Sequence, residues 1–141
     1  MKERKNGTAW TLRLEPGEEV IGTLQAWAEA HGVGFATVQA IGALRRAVLG
    51  YFDGAAKAYR RIPVEEHVEV VSLLGNIARG EDGGPVVHVH AVLGRVDGTT
   101  LGGHLFEAIV GPTLEVVLSP LPEPVHRQHD PATGLVLWDL G

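Results

Sequence analysis

Only one stretch of this chain carries a helical period, and that limits the folds open to it. Val20, Leu24, Trp27 and Ala28 recur at i, i+4, i+7 and i+8, the spacing that keeps one helix face apolar. Elsewhere apolar residues alternate with polar ones or run together, broken by the chain's 19 Gly and 8 Pro. A chain of 141 residues falls in the range of one domain. One helix must therefore pack against many strands. The expected fold is α+β: a compact single domain with a mostly antiparallel sheet and one or two helices.

The elements follow in order. Residues 1–7 read as a polar N-terminal tail, ahead of a domain over 8–141. Thr8 to Leu14 alternates as a strand. Glu15-Pro16-Gly17 is turn chemistry. Glu18 and Glu19 suit a helix N-terminus, where negative charge is favoured. The helix runs to about Ala30 and stops at His31-Gly32. Strands are expected over 35–44, 46–52, 58–62, 65–77, 86–93, 113–118 and 135–140, with Asp53-Gly54 closing a hairpin. A short second helix is expected over 106–109, and the proline-rich stretch 119–134 reads as an extended loop. Strand 65–77 places Val68, Val70, Ser72 and Leu74 on one face and Glu69, Val71 and Leu73 on the other. Neither face is polar, so both should be covered. One helix cannot do that alone, which points to oligomerisation.

The chemistry concentrates in the histidines. There is no cysteine, so disulfides, iron–sulfur clusters and a thiol nucleophile are excluded. A transition-metal site here must use His and carboxylates. In Val86-Val87-His88-Val89-His90-Ala91-Val92-Leu93 the two histidines share one strand face. Gly102-Gly103-His104-Leu105 follows, with glycines that permit close backbone approach. If that segment folds back beside the strand, His88, His90 and His104 converge as a zinc site with a fourth position open. If it does not, His88 and His90 are a pair on a half-exposed strand. A cupin-type site is rejected, because the Glu it requires after the second His is replaced by Leu93 and Gly94, with Arg95 next.

Read as a whole, the chain resembles a known family. The pieces are Leu14-Glu15-Pro16-Gly17-Glu18-Glu19-Val20, Ile41-Gly42-Ala43-Leu44, Tyr59-Arg60, Glu69-Val70-Val71-Ser72-Leu73-Leu74-Gly75-Asn76, His88-Val89-His90-Ala91, Asp97-Gly98 and Gly102-Gly103-His104-Leu105. In order and spacing they resemble the plant and prokaryote conserved (PPC) domain, over about residues 8 to 140. The resemblance implies a homotrimer and, at His88, His90 and His104, a bound metal, zinc. In plants the domain follows an AT-hook in nuclear DNA-binding proteins and mediates self-association. The Arg-Gly-Arg-Pro core of an AT-hook does not occur here.

Three functions follow, in this order: a metal-binding trimer with a binding or regulatory role, a DNA-associated protein, and a small metal-dependent enzyme. The formal charge of −5 opposes the second, since phosphate binders are more often basic. Arg45-Arg46 and Arg60-Arg61 read mainly as solvated strand edges and ion pairs. For the third, no general base is assigned; Glu69 and Glu107 are the carboxylates available, and neither Ser72 nor Ser119 lies in Gly-x-Ser-x-Gly. His31, His67, His126 and His129 are scattered. No apolar run reaches the ~18 residues of a membrane span, and no secretory h-region follows the charged N-terminus, so a cytoplasmic protein is expected.

Overall fold

In the computed structural model, which describes residues 1–141, nine strands and one helix follow in the order β1 (Lys2–Asn6), β2 (Ala9–Leu14), α1 (Val20–Ala30), β3 (Ala36–Asp53), β4 (Ala58–Val64), β5 (Val68–Arg79), β6 (Pro85–Gly94), β7 (Thr100–Pro120), β8 (His126–Asp130) and β9 (Leu135–Asp139). The helix sits where the period placed it. Glu19 caps it, its carboxylate accepting from the backbone N–H groups of Ile21 (3.2 Å) and Gly22 (2.6 Å). Such a cap answers two of the four orphan donors of a helix start. Gly32, with φ of 63°, takes the left-handed conformation beyond the last turn.

Two strands are much longer than the pattern suggested. β3 joins the expected strands 35–44 and 46–52 into 18 residues, and β7 spans 21. They pair antiparallel with each other, with three register shifts that bend the ribbon. β5 pairs with β3, β6 with β5, and β7 with β6, so the ladders return to β3 and close a ring. All strand pairs are antiparallel except the single parallel bridge between β5 and β8.

Within the ring, alternate residues point inward. Val38, Leu73, Val87, Val89, Leu105 and Val116 meet Val20, Leu24, Trp27 and Ala28 of the helix in one continuous core. Fully burying one such leucine stabilises the fold by about 1.5–3 kcal/mol.

Four expectations are corrected. Residues 106–109 are part of β7 and not a second helix, because they pair with Val48, Ala47 and Arg46 of β3. Lys2–Asn6 are not a free tail but an edge strand paired with β2; its exposed charged side chains are typical of sheet edges. The 119–134 stretch is interrupted by β8, which pairs with β9 in a C-terminal hairpin. Finally, β5 slips register between Val70 and Ser72. Val68, Val70, Leu73 and Ile77 are buried, while Val71 (55% exposed) and Leu74 (58% exposed) face out. The bulge adds one residue, so every side chain beyond it changes face.

Candidate metal centre

The three predicted histidines meet. His90 on β6 lies directly across from His104 on β7, and antiparallel partners present their side chains on the same side. His88 follows two residues before His90 on that outward face. The ring centroids stand 5.2 Å apart for His88–His90, 5.2 Å for His88–His104 and 5.6 Å for His90–His104. One nitrogen from each ring lies within 4.8 Å of the others. The group contains no carboxylate, so neither Glu69 nor Glu107 joins it.

Glycines make this convergence possible. A Cβ at Gly103 would stand 2.5 Å from the Gly50 carbonyl oxygen of β3. At Gly75 it would run into the backbone of His88 and Val89. Only glycine lets the strands beside the histidines come this close.

The surroundings favour the neutral form of two of the rings. Burial, then the Arg127 guanidinium, then the neighbouring imidazoles push the His88 pKa down to about 4. Burial and His90 also lower that of His104. Neutral imidazole is the form that ligates a metal. His104 is walled by Tyr59 at 5.0 Å and Phe106 at 4.7 Å, and Arg61 lies over the Phe106 ring at 4.3 Å. The His104 Nδ1 atom is buried with no hydrogen-bond partner. Three converging imidazoles, one with an unanswered buried nitrogen, form a group that could hold a transition-metal ion.

The sequence reading missed Arg127. It reaches back from the β8–β9 hairpin, buried, with Nη2 donating to Asn76 Oδ1 (2.9 Å) and meeting His88 Nδ1 at 3.2 Å. Its own segment gave no signal, because proline and polar neighbours mark it as loop. The other histidines do not join the cluster. His31 packs against Trp10 and Trp27. His67, His126 and His129 are exposed. Arg60 pairs with Asp53 at 2.5 Å, as expected of a strand-edge arginine.

The model of the Plants and Prokaryotes Conserved domain family matches residues 1–122. The chain belongs to this family. The match takes in β1 to β7 and all three histidines of the PPC domain, and leaves the β8–β9 hairpin outside. Among solved structures, a metal-containing protein of Archaeoglobus fulgidus is 38% identical, with TM-score 0.88 over 95% of this chain and 94% of that one. A candidate DNA-binding protein of Bacteroides thetaiotaomicron is 28% identical, with TM-score 0.93 over 98% of this chain and 96% of that one. The bifunctional protein GlmU of a Synechococcus strain is 33% identical over 129 residues, 89% of this PPC chain but 19% of its own length. This chain thus spans about a fifth of that relative. No helix is long and apolar enough to cross a membrane.

Proposed function

We propose that this PPC domain binds zinc through His88, His90 and His104 and works as a homotrimer with a binding or regulatory role. The convergence of three imidazoles on one outward face carries the reading, and the lowered pKa of His88 and His104 favours their ligating form. The description of the A. fulgidus relative as metal-containing supports it. Zinc held by three imidazoles supplies a Lewis-acidic open position for a ligand. No side chain is placed there as a general base, so binding ranks ahead of catalysis. Self-association is supported by Ile41 (60% exposed), Val71 and Leu74, which line one groove on the face the helix does not cover. A second copy of this chain is the occupant that would bury them.

Metal content by mass spectrometry, on protein purified without chelator or affinity tag, tests the site. About one zinc per chain is expected for a site of this kind. His90→Ala should lose most of it and, since His90 is exposed, keep its fold. Equal metal in parent and variant, or none after incubation with excess zinc, overturns the assignment.

A second reading is DNA association, favoured by the description of the B. thetaiotaomicron relative. Against it stands a charge of −5 per chain, which gives −15 for three. Phosphate-driven binding weakens steeply with salt. A gel shift lost between low and moderate ionic strength would favour DNA, and no shift at either would dismiss it.

A further inference from the structure

Arg127 is the one charged side chain buried in this protein, at 6% exposure. The chain has 17 acidic residues, yet none of its ion pairs includes Arg127. Its Nη1 donates to the Val136 carbonyl at 3.0 Å. Its Nη2 donates to Asn76 Oδ1 and meets His88 Nδ1. Its Nε is buried with no acceptor. A buried cation without a counter-charge costs stability, and a buried donor without an acceptor adds to that cost.

The contact with His88 is also of the wrong polarity for a metal ligand. A ligating imidazole normally donates its other ring N–H to a carboxylate, a carbonyl or a water. Here the group at Nδ1 is itself a donor. If Nδ1 holds the metal, it must release Arg127. If Nε2 holds it, Nδ1 carries the proton and faces a second N–H. Either way, loading the centre leaves the guanidinium with another unanswered donor, beside new positive charge.

We propose that the loaded centre takes a small carboxylate ligand, held between His88 and Arg127. This rests on the metal site of the preceding section and adds the class of ligand. The planar carboxylate matches the guanidinium edge that carries Nε and Nη2, with one oxygen for each donor. An oxygen in that place also accepts from the Nδ1–H of His88. In the single chain the exposed member of the triad is His90, which marks the side open to solvent. The hairpin that carries Arg127 pairs with the sheet at Arg79 and His126 and is held further by the His129 N–H donating to Glu81 (2.9 Å) and by Trp138 against Phe35; the ligand takes its place only as the 3.2 Å contact of Arg127 with His88 opens. Trp138, whose ring lies 5.9 Å from the Arg127 guanidinium, reports on the event.

The test uses cobalt(II) as the metal and acetate as the ligand, on the full chain. Cobalt binding is followed by equilibrium dialysis, and acetate binding by the visible cobalt spectrum and by tryptophan fluorescence. Acetate should bind the cobalt-loaded parent, weaken about tenfold or more in Arg127→Gln, where the charge-assisted pair is lost, and weaken less in Arg127→Lys, which keeps the charge. If cobalt binds but acetate binds parent and both variants alike, or binds none of them, the carboxylate proposal is overturned and the metal site stands. Inorganic phosphate binding through Arg127 where acetate does not would overturn the ligand class. If cobalt does not bind, the metal reading fails. An Arg127-dependent change in fluorescence with acetate on the metal-free chain would then still support the anion site, and its absence would end it.

Discussion

At the scale of single residues, His88 decides most of the centre's chemistry. Its pKa falls from the ordinary 6.5 to about 4, chiefly through burial and next through Arg127. In the unfolded chain it titrates near its ordinary value, so between pH 6.5 and about 4 the unfolded state binds more protons than the folded one. Stability must therefore drop as pH falls through that window. His104, also lowered, adds in the same direction. The melting temperature of metal-free protein should decline from pH 6.5 to 4, and His88→Asn should flatten the decline. An unchanged slope in that variant would remove His88 from the account. The carboxylates with lowered pKa, Glu18, Asp53, Asp97 and Asp130, lose their contribution as pH falls below their ordinary values, so only Glu18 overlaps the foot of the histidine window. Arg127→Met should also raise the His88 pKa, which histidine NMR titration reads directly.

At the scale of elements, the long ribbon of β3 and β7 is the frame of the site. It carries His104, which the pairing of β7 with β6 sets beside His90, and it works only where side chains are absent. Gly103→Ala places a methyl against the Gly50 carbonyl and should cost about 1–3 kcal/mol, the usual penalty of overpacking, seen as a lower denaturant midpoint. Metal affinity should fall with it, since His104 is the adjacent residue. The helix is tied to the same ribbon. Glu19 caps it and also accepts from the Ala108 N–H of β7 at 3.2 Å. Glu19→Ala should destabilise the chain by about 1–2 kcal/mol, at the upper end for a cap, because a strand donor is orphaned as well. A loss of only a few tenths in chemical denaturation would show that solvent replaces both contacts.

At the scale of the whole molecule, the sheet is finished on one side only. The helix and the core fill the inward face, while Ile41, Val71 and Leu74 stay exposed on the other. The histidines open on that outward side, near Leu74, which pairs across from His90. A trimer that buries this face places the metal centres close to its interfaces. For the proposed trimer, Leu74→Glu should shift the particle from three chain masses to one in light scattering while circular dichroism stays unchanged. A parent that already runs at one chain mass would dismiss the trimer without touching the metal site.

Much of this protein was legible in its sequence, and the rest shows where local pattern stops. The helical period of Val20, Leu24, Trp27 and Ala28 located α1 and its cap, because a helix is written in contacts three and four residues apart. Period two made His88 and His90 neighbours for the same reason. Whether His104 joined them depended on β7 folding back to pair with β6, a contact between distant segments that only the tertiary structure decides. Residues 106–109 read as a helix because their short apolar run carries no period of its own; pairing with β3 made them strand. The bulge after Val70 reversed the faces of β5, since one added residue shifts all that follow. Arg127 was invisible for the plainest reason. Its importance lies in what surrounds it, and a guanidinium in a polar, proline-rich stretch becomes a buried cation only when the hairpin closes over Asn76 and His88.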